Sequence, residues 1–429
     1  MKAQSIPSAR WWRIIPVAFL MYTIAFMDRN NVGFGFAGME KDLAINSTYA
    51  GLAAGIFFFG YLFLQIPGAY LAQKWSVKKF ITIALLVWGI FAIATGLVQN
   101  LTQLLIIRFL LGVAEGGVWP ATLVLLSKWF PLKERARANS YWMLCLPFAS
   151  MVMSPISGYI LSLFDWRTMF IIEGLPPFIW AIIWWFFISE EPSKAKWISK
   201  EEREYIENAL AEEKRLMSKQ ASSFKDVLKN RNVLILVVVY FLIQIGFYGY
   251  GLWLPTIVKA LSGGNNLMVG IISALPWVAA IFGLILNARH SDKTGERKGH
   301  VAFAVIVGGL FLLLSALIGQ SNPVLAIVFL VLCMGVLDSY NGVFWAIPAS
   351  FLSEEALAPA MGLINSIGNL GGFFGPFIVG YLISQTHNTL FGMIFLVSAL
   401  ILSGILVLQV RYEKPKVQQN ENLNIAKSV

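Results

Sequence analysis

Stretches of about 20 or more largely apolar residues follow one another along nearly the whole chain, separated by short polar breaks. A helix of that length, rising about 1.5 Å per residue, crosses a bilayer core of about 30 Å. Hydropathy predicts spans near residues 12–36, 49–72, 80–99, 101–125, 138–163 and 167–188. A second set falls near 232–260, 267–288, 301–319, 322–350, 356–384 and 388–410. The expected fold is an all-α integral membrane protein with 12 transmembrane helices in two six-helix halves. The halves are residues 1–188 and 232–429, the second ending in a tail, with a linker at 189–231.

The linker breaks the pattern. It holds 10 Lys/Arg and 9 Asp/Glu, 19 of the chain's 56 charges in about a tenth of its length, which marks a solvated segment. Within it Ile198, Tyr205, Ile206, Ala209, Leu210 and Leu216 recur at helical spacing, and Ser199 with Glu202 has capping-box spacing. A surface amphipathic helix strapping the halves together is expected.

Composition narrows the class. Of 429 residues, 57% are hydrophobic and 13% charged, against roughly 25% charged in soluble domains, so no sizeable soluble domain fits. The net charge of +10 sits between spans rather than along one amphipathic face with interleaved aromatics, which argues against a nucleic-acid partner. Basic residues gather in alternate loops: Lys74, Lys78 and Lys79, then Lys128, Lys133, Arg135 and Arg137, then Arg289, Lys293, Arg297 and Lys298. The other loops offer little beyond Lys41, Arg167 and Lys259, so the positive-inside rule puts both termini and the linker in the cytoplasm. Cys145 and Cys333 lie in separate apolar segments, which suggests neither a disulfide nor a metal site. The first span has no clean cleavage site and reads as retained.

An internal repeat supports the division. The loop after the second span reads Ala69-Tyr-Leu-Ala-Gln73-Lys74-Trp-Ser-Val-Lys78-Lys79, and the loop after the eighth reads Ala288-Arg-His-Ser-Asp292-Lys293-Thr-Gly295-Glu-Arg297-Lys298. These loops resemble the signature of the major facilitator superfamily. The second copy is nearly complete, whereas the first carries Ala69, Gln73 and Ser76 in place of Gly, Asp and Gly. A narrower resemblance, to the anion:cation symporters that import sugar acids, rests on Phe26-Met-Asp28-Arg29-Asn-Asn-Val-Gly-Phe34 and Arg108-Phe-Leu-Leu-Gly-Val-Ala-Glu115. Arg10-Trp-Trp-Arg13, Ser76-Val-Lys-Lys79, the run from Phe164 to Leu175 and Ile179-Trp-Ala-Ile-Ile-Trp-Trp185 look most like 2-ketogluconate transporters. The resemblance implies a bacterial inner-membrane protein that binds substrate through Arg29, with Tyr61 and Gln244 at family binding positions.

Intramembrane charges cost about 2.5–3.5 kcal/mol or more near a helix centre, so each needs a partner, a cavity or a function. Asp28 and Arg29 fall on the first span, Arg108 and Glu115 on the fourth, and Asp338 on the tenth. Arg108 and Glu115 share a helix face about 10 Å apart, too far to pair directly. Asp28 is expected to pair with Arg108. Glu115 is then left without a close cation in a low-dielectric cavity, which suits a proton carrier. Asp28, Arg108 and Glu115 thus form the candidate proton-coupling set, against the alternative of an ion-pair network that only fixes packing.

Arg29 offers a planar fork matching a carboxylate. Sugar hydroxyls need amide and phenol partners, supplied within spans by Tyr61, Gln65, Gln244, Asn341, Asn365 and Asn369. Asn365 and Asn369 share a face at i, i+4, so these two with Tyr61 and Gln244 rank above Gln65 and Asn341 as substrate contacts. Asp338 is either a second-half proton or cation site or a carboxyl satisfied by Ser339, Tyr340 and Asn341, and the second reading is favoured.

The expected activity is monomeric, proton-coupled import of a sugar acid, 2-ketogluconate first, with galactonate or glucarate as alternatives. It needs no cofactor and no metal, and the coupling ion is a proton. Organophosphate exchange is less favoured, because a doubly charged phosphate asks for more than one convergent cation. An enzyme or receptor is disfavoured: there is no His/Glu metal spacing and no activated Ser or Cys constellation, and His290, His300 and His387 all lie near loops.

Overall fold

A computed structural model describes residues 8–217, 229–352 and 354–411, and no strand occurs among them. Ten helical stretches are long and apolar enough to cross a membrane. One of these, Ser47–Thr95, turns through Ala72–Ser76 and supplies the second and third spans, Ser47–Leu71 and Val77–Thr95. The first span, Ala9–Asn30 continued by Val32–Asp42, completes twelve. The tail from residue 412 and the side chain of Leu216 lie outside the described residues.

Every even-numbered span begins, at the end away from the linker, with an Asn or Asp whose side chain accepts from the first turn. Asn46, Asn100 and Asp165 do so in the first half, and Asn265, Asn322 and Asn388 in the second. These caps satisfy amide groups that a helix cannot pair internally, and they fix where each span starts.

Several spans are broken. The first breaks at Asn31, and the fourth at Gly117 between Leu101–Gly116 and Val118–Trp129. The fifth joins Leu132–Met143 to Cys145–Leu163, and the sixth joins Trp166–Glu173 to Pro176–Phe187. The tenth breaks between Pro323–Leu337 and Tyr340–Phe344, and the eleventh between Glu354–Gly368 and Gly371–Thr386. The seventh (Arg231–Ser262), eighth (Asn266–Thr294), ninth (Lys298–Ile318) and twelfth (Thr389–Val407) run unbroken. Irregular backbone at membrane depth is tolerated where it is buried in protein or lines a cavity, and the breaks at Asn31, Asp338 and Asn369 carry polar residues to the molecular centre.

The halves meet through the second and eleventh spans, the fifth and eighth, and the first and seventh. Glycines allow backbones to touch there. Gly33 lies against Leu252 O, Gly51 against Pro376 O, and Gly158 against Asn266 O and Gly270. All three contacts fall towards the end away from the linker, so the halves are closed there.

The linker helix Lys200–Met217 docks on the first half. Glu202 is buried and takes Arg10 Nη1 at 2.6 Å, Arg135 pairs with Glu213 at 3.0 Å, and Trp197 stacks on Trp129 at 5.0 Å. The expected capping box is only half formed. Ser199 Oγ accepts from Glu202 N at 3.2 Å, but the Glu202 carboxylate turns to Arg10 because that buried guanidinium offers a charge-assisted bond.

Candidate functional site

Arg29 lies two residues before the break in the first span, 4% exposed. Its Nη2 is 3.3 Å from Glu115 Oε2 and donates to Tyr22 Oη at 3.4 Å, while Nη1 donates to Tyr248 Oη of the other half at 3.3 Å. The guanidinium also stands over the Tyr61 ring, 4.6 Å from its centroid. One arginine therefore touches both halves. The expectation that Glu115 has no close cation is overturned, because the fourth span presents Glu115 to the first span's Arg29.

The expected Asp28–Arg108 pair does not form either. Asp28 Oδ2 accepts from Trp88 Nε1 at 2.9 Å, and its other oxygen is buried without a hydrogen-bond partner. Arg108, fully buried, donates to three backbone carbonyls: Ala53 O at 3.3 Å, Arg29 O at 3.4 Å and Asp28 O at 3.5 Å. The bonds to Asp28 and Arg29 clamp the end of the Ala9–Asn30 helix, and the one to Ala53 ties it to the second span. Orphan carbonyls at a helix C-terminus carry partial negative charge, so a cation is stabilised there without a carboxylate.

A cavity between the halves is lined by Arg29 and Tyr61, and by Gln244, Asn341, Asn365 and Asn369 from the second half. Tyr22, Tyr240, Tyr248 and Tyr340 line it as well, with Trp119 and Trp345. The second-half amides form a chain. Tyr340 Oη donates to Gln244 Oε1 at 3.1 Å, Gln244 Nε2 to Asn369 Oδ1 at 3.2 Å, and Asn369 Nδ2 to Asn365 Oδ1 at 3.0 Å. Asn341, ranked lower by sequence, lines the cavity. Gln65 does not, and accepts from Ser366 Oγ at 2.8 Å across the half interface.

Asp338 is also corrected. Ser339 Oγ donates to Val336 O and Tyr340 to Gln244, and Asp338 Oδ2 is buried without a hydrogen-bond partner. Side chains one and two positions on do not share a helix face with Asp338, and Ser339 and Tyr340 find their partners elsewhere.

Sequence reasoning missed Glu173 of the sixth span, 5% exposed, which accepts from Asn31 Nδ2 at 2.9 Å and Ser157 Oγ at 2.6 Å. Its signal was a carboxyl inside the apolar run at 167–188. The cavity tyrosines Tyr22, Tyr240 and Tyr248 were missed too, and Tyr340 was weighed only as a partner of Asp338, since a phenol on an apolar span looks the same whether it faces lipid, core or cavity.

Twelve helices in two halves, enclosing a polar cavity at their interface, define a membrane transporter. The chain belongs to the Major Facilitator Superfamily, whose family model matches residues 18–376 and again 263–427. It is 35% identical over 419 residues to a putative tartrate transporter of Agrobacterium vitis, covering 96% of this chain and 93% of that one. It is 33% identical over 423 residues to a quinolone resistance transporter of Acinetobacter baumannii, covering 97% of each. Its fold matches an inward-facing bacterial homologue of the lysosomal transporter Spinster, with TM-score 0.76 and 17% identity over 95% of this chain and 99% of that one. The protein is a transporter and not an enzyme.

Proposed function

We propose that the protein is a proton-coupled symporter that imports a sugar acid, 2-ketogluconate first, across a bacterial inner membrane by alternating access. One observation carries the reading: Arg29 is the sole charged side chain among the described residues lining the cavity, ringed by phenols and amides. A single guanidinium matches one carboxylate, and the Tyr340–Gln244–Asn369–Asn365 chain suits several hydroxyls. A doubly charged phosphate would call for a second cation, which Arg108 does not supply while it holds the carbonyls of the first span. The tartrate relative supports a small hydroxylated acid as the substrate class.

Coupling follows from the Arg29–Glu115 pair. A substrate carboxylate competes with Glu115 for Arg29. Glu115, released from its cation while buried, then favours taking a proton, so anion and proton bind together. Asp28 and Arg108 set the end of the helix that carries Arg29. With the linker and both termini cytoplasmic, the halves close on the outer side, an inward-facing state.

The test is uptake of labelled 2-ketogluconate by proteoliposomes under an inward proton gradient, with a protonophore control and competing galactonate, glucarate and tartrate. Protonophore-sensitive accumulation supports the reading, uptake of a competitor alone replaces the substrate, and no uptake of any acid overturns it. Glu115→Gln should abolish gradient-driven accumulation while leaving counterflow exchange measurable.

A further inference from the structure

The proposed mechanism leaves one buried acid of the first half unused. Glu173 accepts two hydrogen bonds from neutral donors, Asn31 Nδ2 and Ser157 Oγ, and joins no ion pair among the described residues. Those donors sit beside closing contacts. Asn31 is the break of the first span, two residues before Gly33, which lies against Leu252 O of the second half. Ser157 precedes Gly158, whose added Cβ would stand 2.6 Å from Asn266 O and 2.8 Å from Gly270 Cα. The two oxygens of one carboxyl thus hold the two first-half elements that seal the end away from the linker.

The surrounding charges are already engaged. On the first span Arg29 pairs with Glu115 and Asp28 takes Trp88 of the third span, while on the fourth span Arg108 is held by carbonyls. The fifth span brings Ser157, and the seventh and eighth bring Leu252 and Asn266 across the interface. The buried cluster therefore holds three carboxyls, Asp28, Glu115 and Glu173, against two guanidiniums.

We propose that Glu173 is a proton-binding gate residue for the closure opposite the linker. The carboxylate takes one proton from water at that end, and the new O–H donates to Ser157 Oγ while the other oxygen still accepts from Asn31. Closure strips water from a group whose partners are all neutral, so an ionised Glu173 favours the open gate and a protonated one the closed gate. The use of this gate in turnover rests on the symport reading. The gate itself does not, and its test needs no substrate.

The test is spin-label distance measurement between Lys41→Cys and Ala260→Cys, exposed positions on opposite halves at the gated end, in lipid nanodiscs from pH 5 to 9. Native Cys145 and Cys333 are fully buried. Wild type should populate a longer distance as pH rises. Glu173→Gln, whose amide can accept from Asn31 and donate to Ser157, should hold the short distance throughout. A flat wild-type profile overturns the proposal, as does Glu173→Gln opening with wild-type pH dependence. Loss of the profile in Glu115→Gln but not in Glu173→Gln would move the proton to Glu115. Absence of sugar-acid uptake leaves this readout intact, so the two readings fail separately. Equal unfolding temperatures for wild type and Glu173→Gln exclude misfolding as the cause.

Discussion

Arg29 Nη2 and Glu115 Oε2 stand 3.3 Å apart across 86 residues of sequence, in a pair that is 4% and 0% exposed. The substrate-binding candidate is thereby made the counter-ion of the proton-carrying candidate. Removing one partner of such a pair leaves an uncompensated buried charge, which costs about 3–5 kcal/mol, whereas removing both does not.

Arg29→Gln should accordingly lower thermal stability in detergent and abolish uptake, while Arg29→Gln combined with Glu115→Gln should recover most of the stability and none of the uptake. Unfolding temperature and proteoliposome uptake on the same preparations check this. Equal stability of the single and double variants would show that the pair is not coupled.

Asn369 bridges Gln244 and Asn365 at 3.2 and 3.0 Å. Asn369→Ala should raise the KM for the transported acid about tenfold, the loss of roughly 1.4 kcal/mol of hydrogen bonding, with a smaller effect on maximal rate. Concentration-dependent initial rates decide it, and an unchanged KM would place the amide chain outside the substrate contact.

Arg10 joins Glu134 at 2.7 Å and Glu202 at 2.6 Å beneath the linker helix, where Glu202 is fully buried. Arg10→Ala should free the helix Lys200–Met217 and make it sensitive to limited proteolysis, whereas Arg10→Met with Glu202→Leu should retain protection. Digestion time courses read by mass spectrometry separate the two.

Glu296 lies in the loop between the eighth and ninth spans. Burial opposes its ionisation, but the backbone N–H groups of Gly299 and His300 and the His300 ring outweigh that and hold its carboxyl below the ordinary value. A lowered folded value stabilises the loop above the unfolded value of about 4.3 and loses that contribution as pH falls through the folded one. Hydrogen-exchange protection of Gly299 and His300 should fall in wild type as pH drops below about 4 and be pH-independent in Glu296→Gln, after correction for intrinsic exchange.

The sequence by itself determined the twelve spans and the family, because desolvation of a helix backbone in lipid permits little else for runs of this length. It also carried the Asn and Asp caps that start the even spans, since an N-cap acts on its own first turn. Asp28, Arg29, Arg108 and Glu115 were legible as intramembrane charges. Their partners were not. Each residue turns a helix by about 100°, so which face meets which neighbour depends on how helices rotate and where they break. Hydropathy cannot supply that rotation, because lipid and protein core are equally apolar. Only the tertiary structure therefore decided that Glu115 meets Arg29, that Arg108 closes on carbonyls, and that Glu173 stands behind the sealed end of the interface.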